Sequence, residues 1–290
     1  MLRISKISFP GFNIGEFSVD SAAFSIAGID IAWYAIIITL GMIVAVSYLL
    51  YRAYQVGIKF EDVMDFVLFG IPIGIIGARL YYVLTTIASY DSFLDVINIR
   101  GGGLAIYGGI IAGAITVFVV ARVKKIPFLV IADCCTPGII LAQAIGRWGN
   151  FMNGEAFGYE TDIFCRMGLN NALTGYQTLF VHPTFLYECL WNVLGFVIIN
   201  FIFYKRREYD GQIFLMVFGW YGLGRMFIEG LRSDSLYTKI FGLEFRTSQV
   251  LAGAIFIACL TILIYLKVKK YKKELYVSEN KIQNNKKEVV

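Results

Sequence analysis

Histidine is all but missing from this 290-residue chain, in which His182 stands alone. A zinc site built on two histidines is thereby excluded, and with it the H-E-x-x-H arrangement of membrane metalloproteases. Cysteine is no more promising as a metal ligand. Cys134, Cys135, Cys165, Cys189 and Cys259 are scattered, odd in number and without C-x-x-C spacing, so neither a disulfide framework nor a thiolate centre is expected. The adjacent Cys134 and Cys135 read as small packing residues inside an apolar helix. The glycines at 101–103, 108–109 and 113 are not followed by G-K-[S/T], which excludes a nucleotide phosphate loop. No internal repeat is visible. Charge is scarce as well: 16% of residues are charged against 58% hydrophobic, with a mean hydropathy of +0.66, and these values exclude a soluble domain.

What is present is apolar sequence in blocks long enough to cross a bilayer. Seven spans are predicted, near 24–50, 63–88, 103–123, 127–146, 183–204, 211–230 and 247–267. Each is close to the roughly 20 residues that a hydrocarbon core requires. The expected fold is therefore all-α and polytopic, a single transmembrane domain over 1–267 with a basic tail at 268–290. The one long connection, Phe151–Val181, is expected to form a small cap. Met1–Ser25 lacks the basic start, uninterrupted apolar run and small-residue site of a cleavable signal, so the first span is expected to serve as the insertion signal.

Lysine and arginine in short loops set the orientation, because they resist translocation. One side collects thirteen: Arg52 and Lys59; Arg122, Lys124 and Lys125; Lys205, Arg206 and Arg207; and Lys267, Lys269, Lys270, Lys272 and Lys273. The other has eight: Arg3, Lys6, Arg100, Arg147, Arg166, Arg232, Lys239 and Arg246. The C-terminus is expected in the cytoplasm and the N-terminus outside. The Phe151–Val181 cap then lies at the outer face.

Polar groups inside the spans need a reason. Between Gly146 and Gly158 the chain reads G-R-W-G-N-F-M-N-G-E-A-F-G. An arginine at the centre of a membrane helix costs roughly 2.5–3.5 kcal/mol on insertion scales, so Arg147 requires a partner, a wet cavity or an anionic ligand. In the sixth span Tyr221, Arg225 and Glu229 follow at i, i+4 and i+8 and share one stripe, with Arg232 just beyond. That stripe serves either an intrahelical salt bridge or a site, and two arginines at one depth fit an anion such as phosphate. Arg79 is a third candidate, or else a snorkelling residue near a helix end. Asp133 is a counter-ion for Arg79 or for Arg147. Close helix packing accounts for Gly109 and Gly113. Tyr107 is either an interfacial anchor or a phenol accessible beside the bare backbone of Gly108. His182 and Thr184 are placed to cap the first turn of the fifth span behind Pro183, and Glu188, deeper in that span, needs a partner.

These residues carry a resemblance. G-R-W-G-N-F-M-N-G-E-A-F-G resembles the signature of the prolipoprotein diacylglyceryl transferase family. The likeness extends in order through W-Y in the first span, G-A-R in the second, G-G-L-A-I-Y-G-G-I-I-A-G in the third, H-P-T-F-L-Y-E in the fifth and Y-G-L-G-R-M-F-I-E-G-L-R in the sixth. The resemblance implies transfer of the sn-1,2-diacylglyceryl group of phosphatidylglycerol to the thiol of the lipobox cysteine of a prolipoprotein, in a bacterial cytoplasmic membrane. It implies catalytic roles for Arg225, Arg147 and Glu155, with Tyr107 a further catalytic candidate from its position before Gly108, and contacts to phospholipid from Arg147, Asn150, Gly158, Tyr34, Tyr221 and Glu229. Its partners would be phosphatidylglycerol, the prolipoprotein signal peptide and membrane lipids; no nucleic acid, cofactor or metal is expected. The chain departs from the family at one point. Many relatives place a histidine before the Gly-Gly of the third span, and this chain has Tyr107, a phenol ordinarily protonated at neutral pH. The base that takes the thiol proton is thus open among Glu155, Glu229, Tyr107 and none. A rival class, an anion transporter or channel lined by the same arginines, lacks the inverted repeat expected of it.

Overall fold

A computed structural model describes residues 4–86, 93–97, 102–240 and 243–277. Arg3, Arg100, Gly101 and the tail beyond residue 277 lie outside the described residues. Two compact units emerge, one within Met1–Tyr48 and Cys135–Glu274, the other within Leu49–Cys134 and Leu275–Val290.

Among the described residues six helical stretches are long and apolar enough to cross a membrane, which makes this a multi-pass membrane protein. They are α1 (Trp33–Val56), α2 (Phe60–Thr85), α4 (Ile106–Val123), α5 (Phe128–Asn153), the stretch Thr184–Arg206 that opens with α6 (Thr184–Val197), and α8 (Thr247–Val268). The stretch begun by α6 continues through a π-helical segment at Ile198–Phe203. The sixth expected span is also a helix, α7 (Gln212–Glu229), but Gln212, Arg225 and Glu229 leave its 18 residues too polar to count with the six. A short α3 (Phe93–Ile97) completes the helices. Apolar side chains such as Leu80, Ile111, Phe201 and Ile257 stand exposed on these helices. Water penalises such a surface and lipid does not.

The all-α expectation needs correction, because among the described residues eight short strands accompany the helices. In the first unit β1 (Ile4–Phe9) pairs antiparallel with β2 (Ile14–Asp20) on one edge and β5 (Met167–Asn170) on the other. β6 (Leu179–Val181) closes the sheet beside β5. The expected cap segment is therefore half of a sheet whose other half is the N-terminus. Its inner face, with Ile7, Val19, Met167, Leu169 and Val181, packs on Phe185 of α6 and on Phe151 and Met152 of α5. A second hairpin, β3 (Ala22–Ile26) with β4 (Ile29–Ala32), occupies the start of what was expected to be the first span. Ala27 and Gly28 both take positive φ there, 49° and 78°, as a two-residue hairpin turn requires. A third, β7 (Tyr237–Ile240) with β8 (Leu243–Arg246), leads from α7 into α8.

In the second unit α2 and α4 run antiparallel. A Cβ on Gly77 would strike Gly108 and Ala112, and Gly109 faces the Gly74 carbonyl. Small residues thus let two membrane helices touch backbone to backbone. The glycine that does this beside Gly109 is Gly108, not the expected Gly113, which meets nothing within 4 Å. At the far end Lys124 pairs with Asp62 at 3.0 Å and with Asp65. Hydrogen bonds to Asp65 and Asp62 raise the Lys124 pKa above its ordinary value.

Candidate active site

Helix α7 presents Tyr221, Arg225 and Glu229 on one face, since residues four apart stack along a helix. Arg225 Nη2 lies 2.5 Å from Glu229 Oε2 within that stripe. The same guanidinium reaches across to α6 and donates from Nη1 to Glu188 Oε1 at 2.7 Å. Arg147, near the end of α5, approaches the other oxygen of Glu188, Nη2 to Oε2 at 2.5 Å. Arg232, just beyond α7, places Nη1 3.5 Å from Oε1. Three guanidinium groups converge on one carboxylate whose side chain is only 4% exposed.

The formal charge closes to zero only with the carboxylate at the rim. Arg147, Arg225 and Arg232 face two buried carboxylates, Glu188 and Glu229, while Asp234 holds Arg232 from a half-exposed rim through bonds of 2.9 and 2.7 Å. Burial works against the Arg232 charge, yet Asp234, Glu188 and Glu229 raise its pKa above the ordinary value. Burial likewise pushes the Asp234 carboxyl up, but the bonds from Arg232 outweigh it and hold the pKa below the usual range. Three guanidinium groups are thus balanced by three carboxylates, so what the cluster offers an anion is fixed guanidinium donors in a low-dielectric setting rather than net charge. Donors remain for it. The Nε atoms of Arg147 and Arg225 make no hydrogen bond among the described residues, and the two side chains keep 21% and 15% exposure.

A second carboxylate group is built at the end of α5. Gly154 ends the helix with φ +61°, and a Cβ there would collide with Ser5 and Asn171. Buried Asn171 donates to Gly154 O at 2.8 Å and to Ser5 Oγ at 3.1 Å, tying this turn to strand β1. Glu155 N then folds back to Asn150 O at 3.1 Å. The turn delivers the Glu155 carboxylate to two neutral amides: Asn150 Nδ2 and Asn153 Nδ2 donate to Oε1 at 3.1 and 3.0 Å. Arg147 Nη1 donates to Asn150 Oδ1 at 3.3 Å, so the arginine cluster and Glu155 are joined through one asparagine. Tyr34, at the start of α1, lies over Gly149, and its phenol sits in the field of both Glu155 and Arg147.

Of the other residues singled out from the sequence, Gly158 acts through absence of a side chain. A Cβ there would come within 2.6 Å of His182 Cβ and 2.7 Å of Leu231 O. Its N–H donates to His182 O at 3.0 Å, while the next residue, Tyr159, donates to Leu231 O at 2.9 Å. The segment around Gly158 thus stitches the entrance of α6 to the exit of α7, the two places that supply Glu188 and Arg232. The expected helix cap by His182 and Thr184 is not formed. Thr184 Oγ1 donates instead to Ala156 O at 2.6 Å, and His182 Nδ1 lies 3.3 Å from Tyr187 Oη. Burial pushes the His182 pKa below its ordinary value, so its neutral form prevails at pH 7. Arg79 and Tyr107 belong to the second unit. Arg79 donates to the carbonyls of Asp95, Val96, Gly102 and Gly103 at 2.7 to 3.0 Å, which ties down the chain around α3 and answers neither the anion nor the snorkelling reading. Tyr107, in the first turn of α4, packs beside Tyr81 with ring centres 6.5 Å apart.

A buried arginine cluster with spare donors, beside a carboxylate held by amides, is equipped for substitution chemistry on an anionic substrate. Comparison with known proteins decides the family. The family model described as prolipoprotein diacylglyceryl transferase matches residues 21–265. This chain belongs to that family. Among its relatives, the phosphatidylglycerol--prolipoprotein diacylglyceryl transferase of Finegoldia magna is 42% identical over 264 residues, covering 91% of this chain and all of that protein. The enzyme of the same name from Enterococcus faecalis is 42% identical over 262 residues, 85% of this chain and 90% of that one. One from Clostridium perfringens is 40% identical over 273 residues, 90% and 100% of the two chains.

In this prolipoprotein diacylglyceryl transferase family member the largest omission from the sequence candidates is Glu188, the carboxylate on which the cluster is centred. Its signal was present, since an ionisable group in a helix without lysine or arginine must find its partner on another. Arg232 and Asp234 were missed as members for a different reason. They lie past the helix end, where a charged pair ordinarily reads as solvated loop.

Proposed function

We propose that this protein transfers the sn-1,2-diacylglyceryl group of phosphatidylglycerol to the lipobox cysteine thiol of prolipoproteins, releasing glycerol phosphate and forming a thioether. The observation that carries the reading is the convergence of Arg147, Arg225 and Arg232 on Glu188. As the sulfur attacks the glyceryl carbon, the C–O bond to phosphate breaks and its electron pair leaves on the phosphate oxygen. Arg147 and Arg225 bind that phosphate through their open donors and stabilise the charge that develops on it, a kind of interaction whose loss typically costs 10²–10³ in rate. Asn150 and Tyr34 align Arg147 and Glu155; Tyr221 and Glu229 align Arg225. Gly158 keeps the walls together.

Glu155 takes the thiol proton. Its carboxylate is fixed by two neutral amides, whereas Glu188 and Glu229 are ion-paired with arginines that weaken a base. A thiol near pKa 8.5 supplies some thiolate at neutral pH, so the demand on this base is modest. The role of Tyr107 rests on its place in the third-span motif, where a phenol donates a hydrogen bond without acting as base. We read the chain as seven spans with α7 included, the N-terminus outside, the tail in the cytoplasm, and the sheet-bearing segment 151–181 covering the site at the outer face of the bacterial cytoplasmic membrane.

The test uses purified protein in vesicles containing phosphatidylglycerol, with a lipobox peptide. Thioether peptide and glycerol phosphate should appear in equal amounts. Anion flux across the vesicles without thioether product would overturn the assignment.

A further inference from the structure

Helices α6 and α7 each carry the five-residue pattern W-x-x-L-G, as Trp191–Gly195 and Trp220–Gly224. The two copies meet. Trp191 Nε1 donates to Trp220 O at 2.9 Å, and Trp220 Nε1 donates to Trp191 O at 2.9 Å. The indoles stack with centroids 4.5 Å apart and planes 20° from parallel. Each ring lies on the glycine that ends the opposite copy: a Cβ on Gly195 would collide with the Trp220 indole, and one on Gly224 with the Trp191 indole. In a regular helix the carbonyls of Trp191 and Trp220 already serve the N–H groups of Gly195 and Gly224, four residues on. Each indole therefore adds a second donor to a helical carbonyl and occupies the space that the glycine leaves open.

The arrangement is an approximately two-fold lock between two helices. Sliding one helix past the other by a single residue, about 1.5 Å, breaks both hydrogen bonds and drives both rings off their glycines. Apolar ridges in a membrane provide no such definition, because lipid tails are as apolar as the side chains they would replace. The lock lies next to the charged cluster. Trp191 is one turn from Glu188 on α6, and Gly224, on which its ring rests, immediately precedes Arg225 on α7.

We infer that Trp191 and Trp220 are positioning residues for the transfer reaction, fixing the register of α6 against α7 so that Glu188 holds Arg225 with its open donor directed at the substrate phosphate. This rests on the reading of Arg225 as a phosphate ligand. Neither tryptophan touches substrate. Their effect on the reaction passes through the Glu188–Arg225 contact, and a misplacement of about 1 Å at a reacting centre can cost on the order of a hundredfold.

The experiment compares Trp191→Phe, Trp220→Phe, Arg225→Lys, Arg225→Ala and the double variant Trp191→Phe with Arg225→Lys, all as full chains in phosphatidylglycerol vesicles. Far-UV circular dichroism of the unaltered protein should show the exciton couplet of two stacked indoles, lost in either phenylalanine variant. Each phenylalanine variant should transfer roughly tenfold to a hundredfold more slowly. In the Arg225→Lys background, adding Trp191→Phe should slow the reaction by less than about twofold, since residues acting through one contact are non-additive. Full multiplication of the two losses would make the tryptophans general packing residues and overturn the inference, as would wild-type rates in both single variants. Wild-type rates in Arg225→Ala and Arg225→Lys would instead remove the phosphate role of Arg225 and the inference with it. Should a phenylalanine variant fail to accumulate, benzothienylalanine at position 191, which keeps the bicyclic ring and replaces only the N–H, carries the same test.

Discussion

Replacing Glu188 by glutamine tests the centre of the cluster with almost no change in volume. The substitution removes the charge shared by Arg147 at 2.5 Å, Arg225 at 2.7 Å and Arg232 at 3.5 Å, and points an amide at guanidinium groups that it can satisfy with one oxygen only. Breaking a buried ion pair by removing one partner costs about 3–5 kcal/mol, because the remaining charge stays buried. The side chain is 4% exposed, so little solvent is at hand to soften that penalty. Arg147 and Arg225 should then move apart. Losing both their alignments puts the expected fall in transfer rate at two orders of magnitude or more.

Binding should move in the opposite direction. The cluster gains one unit of positive charge, and a unit charge about 4 Å from a phosphate is worth up to about 4 kcal/mol at an effective dielectric near 20. Inhibition by added glycerol phosphate should therefore become stronger while turnover falls. The assay follows thioether formation and product inhibition together, with thermal unfolding in the same vesicles. Glu188→Asp, whose shorter arm cannot reach both Arg147 and Arg225, should lie between the two. Wild-type turnover, stability and product inhibition in Glu188→Gln would refute the idea that this carboxylate organises the arginines.

Arg147→Ala and Arg225→Ala should each lower transfer by about two orders of magnitude or more, and lysine should rescue poorly because a point charge cannot reproduce the guanidinium fork; wild-type rates in both would leave them as packing residues. Tyr107→Phe should lower the rate tenfold to a hundredfold while Tyr107→His retains substantial activity, and unchanged transfer in Tyr107→Phe from pH 6 to 9 would leave the hydroxyl without a chemical role. Asp234, held below the usual carboxylate pKa by Arg232, contributes stability that is complete above the unfolded pKa and lost as pH falls through the folded one, so unfolding midpoints of Asp234→Asn and the unaltered protein should differ at neutral pH and converge in acid. Partly buried Cys165 should react with an impermeant thiol reagent from outside intact cells, and reaction only after cytoplasmic exposure would reverse the orientation.

The parts of the fold that could be read from sequence are those governed by a single helix. Length and hydropathy mark the membrane helices, and four-residue spacing puts Tyr221, Arg225 and Glu229 on one face before any neighbour is known. The β3–β4 hairpin was absorbed into the first span because its strands are as apolar as a helix, and average hydropathy cannot separate a period of two from one of 3.6. The four-stranded sheet was hidden for another reason: β1 finds its partner β5 more than 150 residues away. Arg79 shows the same limit at a single side chain. Its sequence neighbours offered carboxylates and a helix end, and among its partners are four carbonyls that only the folded chain around α3 brings near.

The same physics explains why Arg147 and Arg225 were legible as a pair while Glu188 was not. An intramembrane arginine declares a deficit that sequence alone can register, but the identity of the compensating group depends on which helix faces it. Here one carboxylate compensates two arginines from different helices and leans on a third. That sharing has a chemical consequence. Glu188, Glu229 and Asp234 together balance the three arginines, so a phosphate is held by oriented guanidinium donors; without Glu188 the cluster would carry a unit of positive charge and product would leave slowly. A balanced cluster whose central carboxylate is shared can stabilise the departing phosphate through its donors without the net charge that would trap it. Catalysis requires binding that grows toward the transition state rather than binding that is strongest in the product. The stitch at Gly158, the amides on Glu155 and the paired tryptophans are then different answers to one requirement, which is to hold long, flexible charged side chains at fixed separations where surrounding lipid gives them no register of its own.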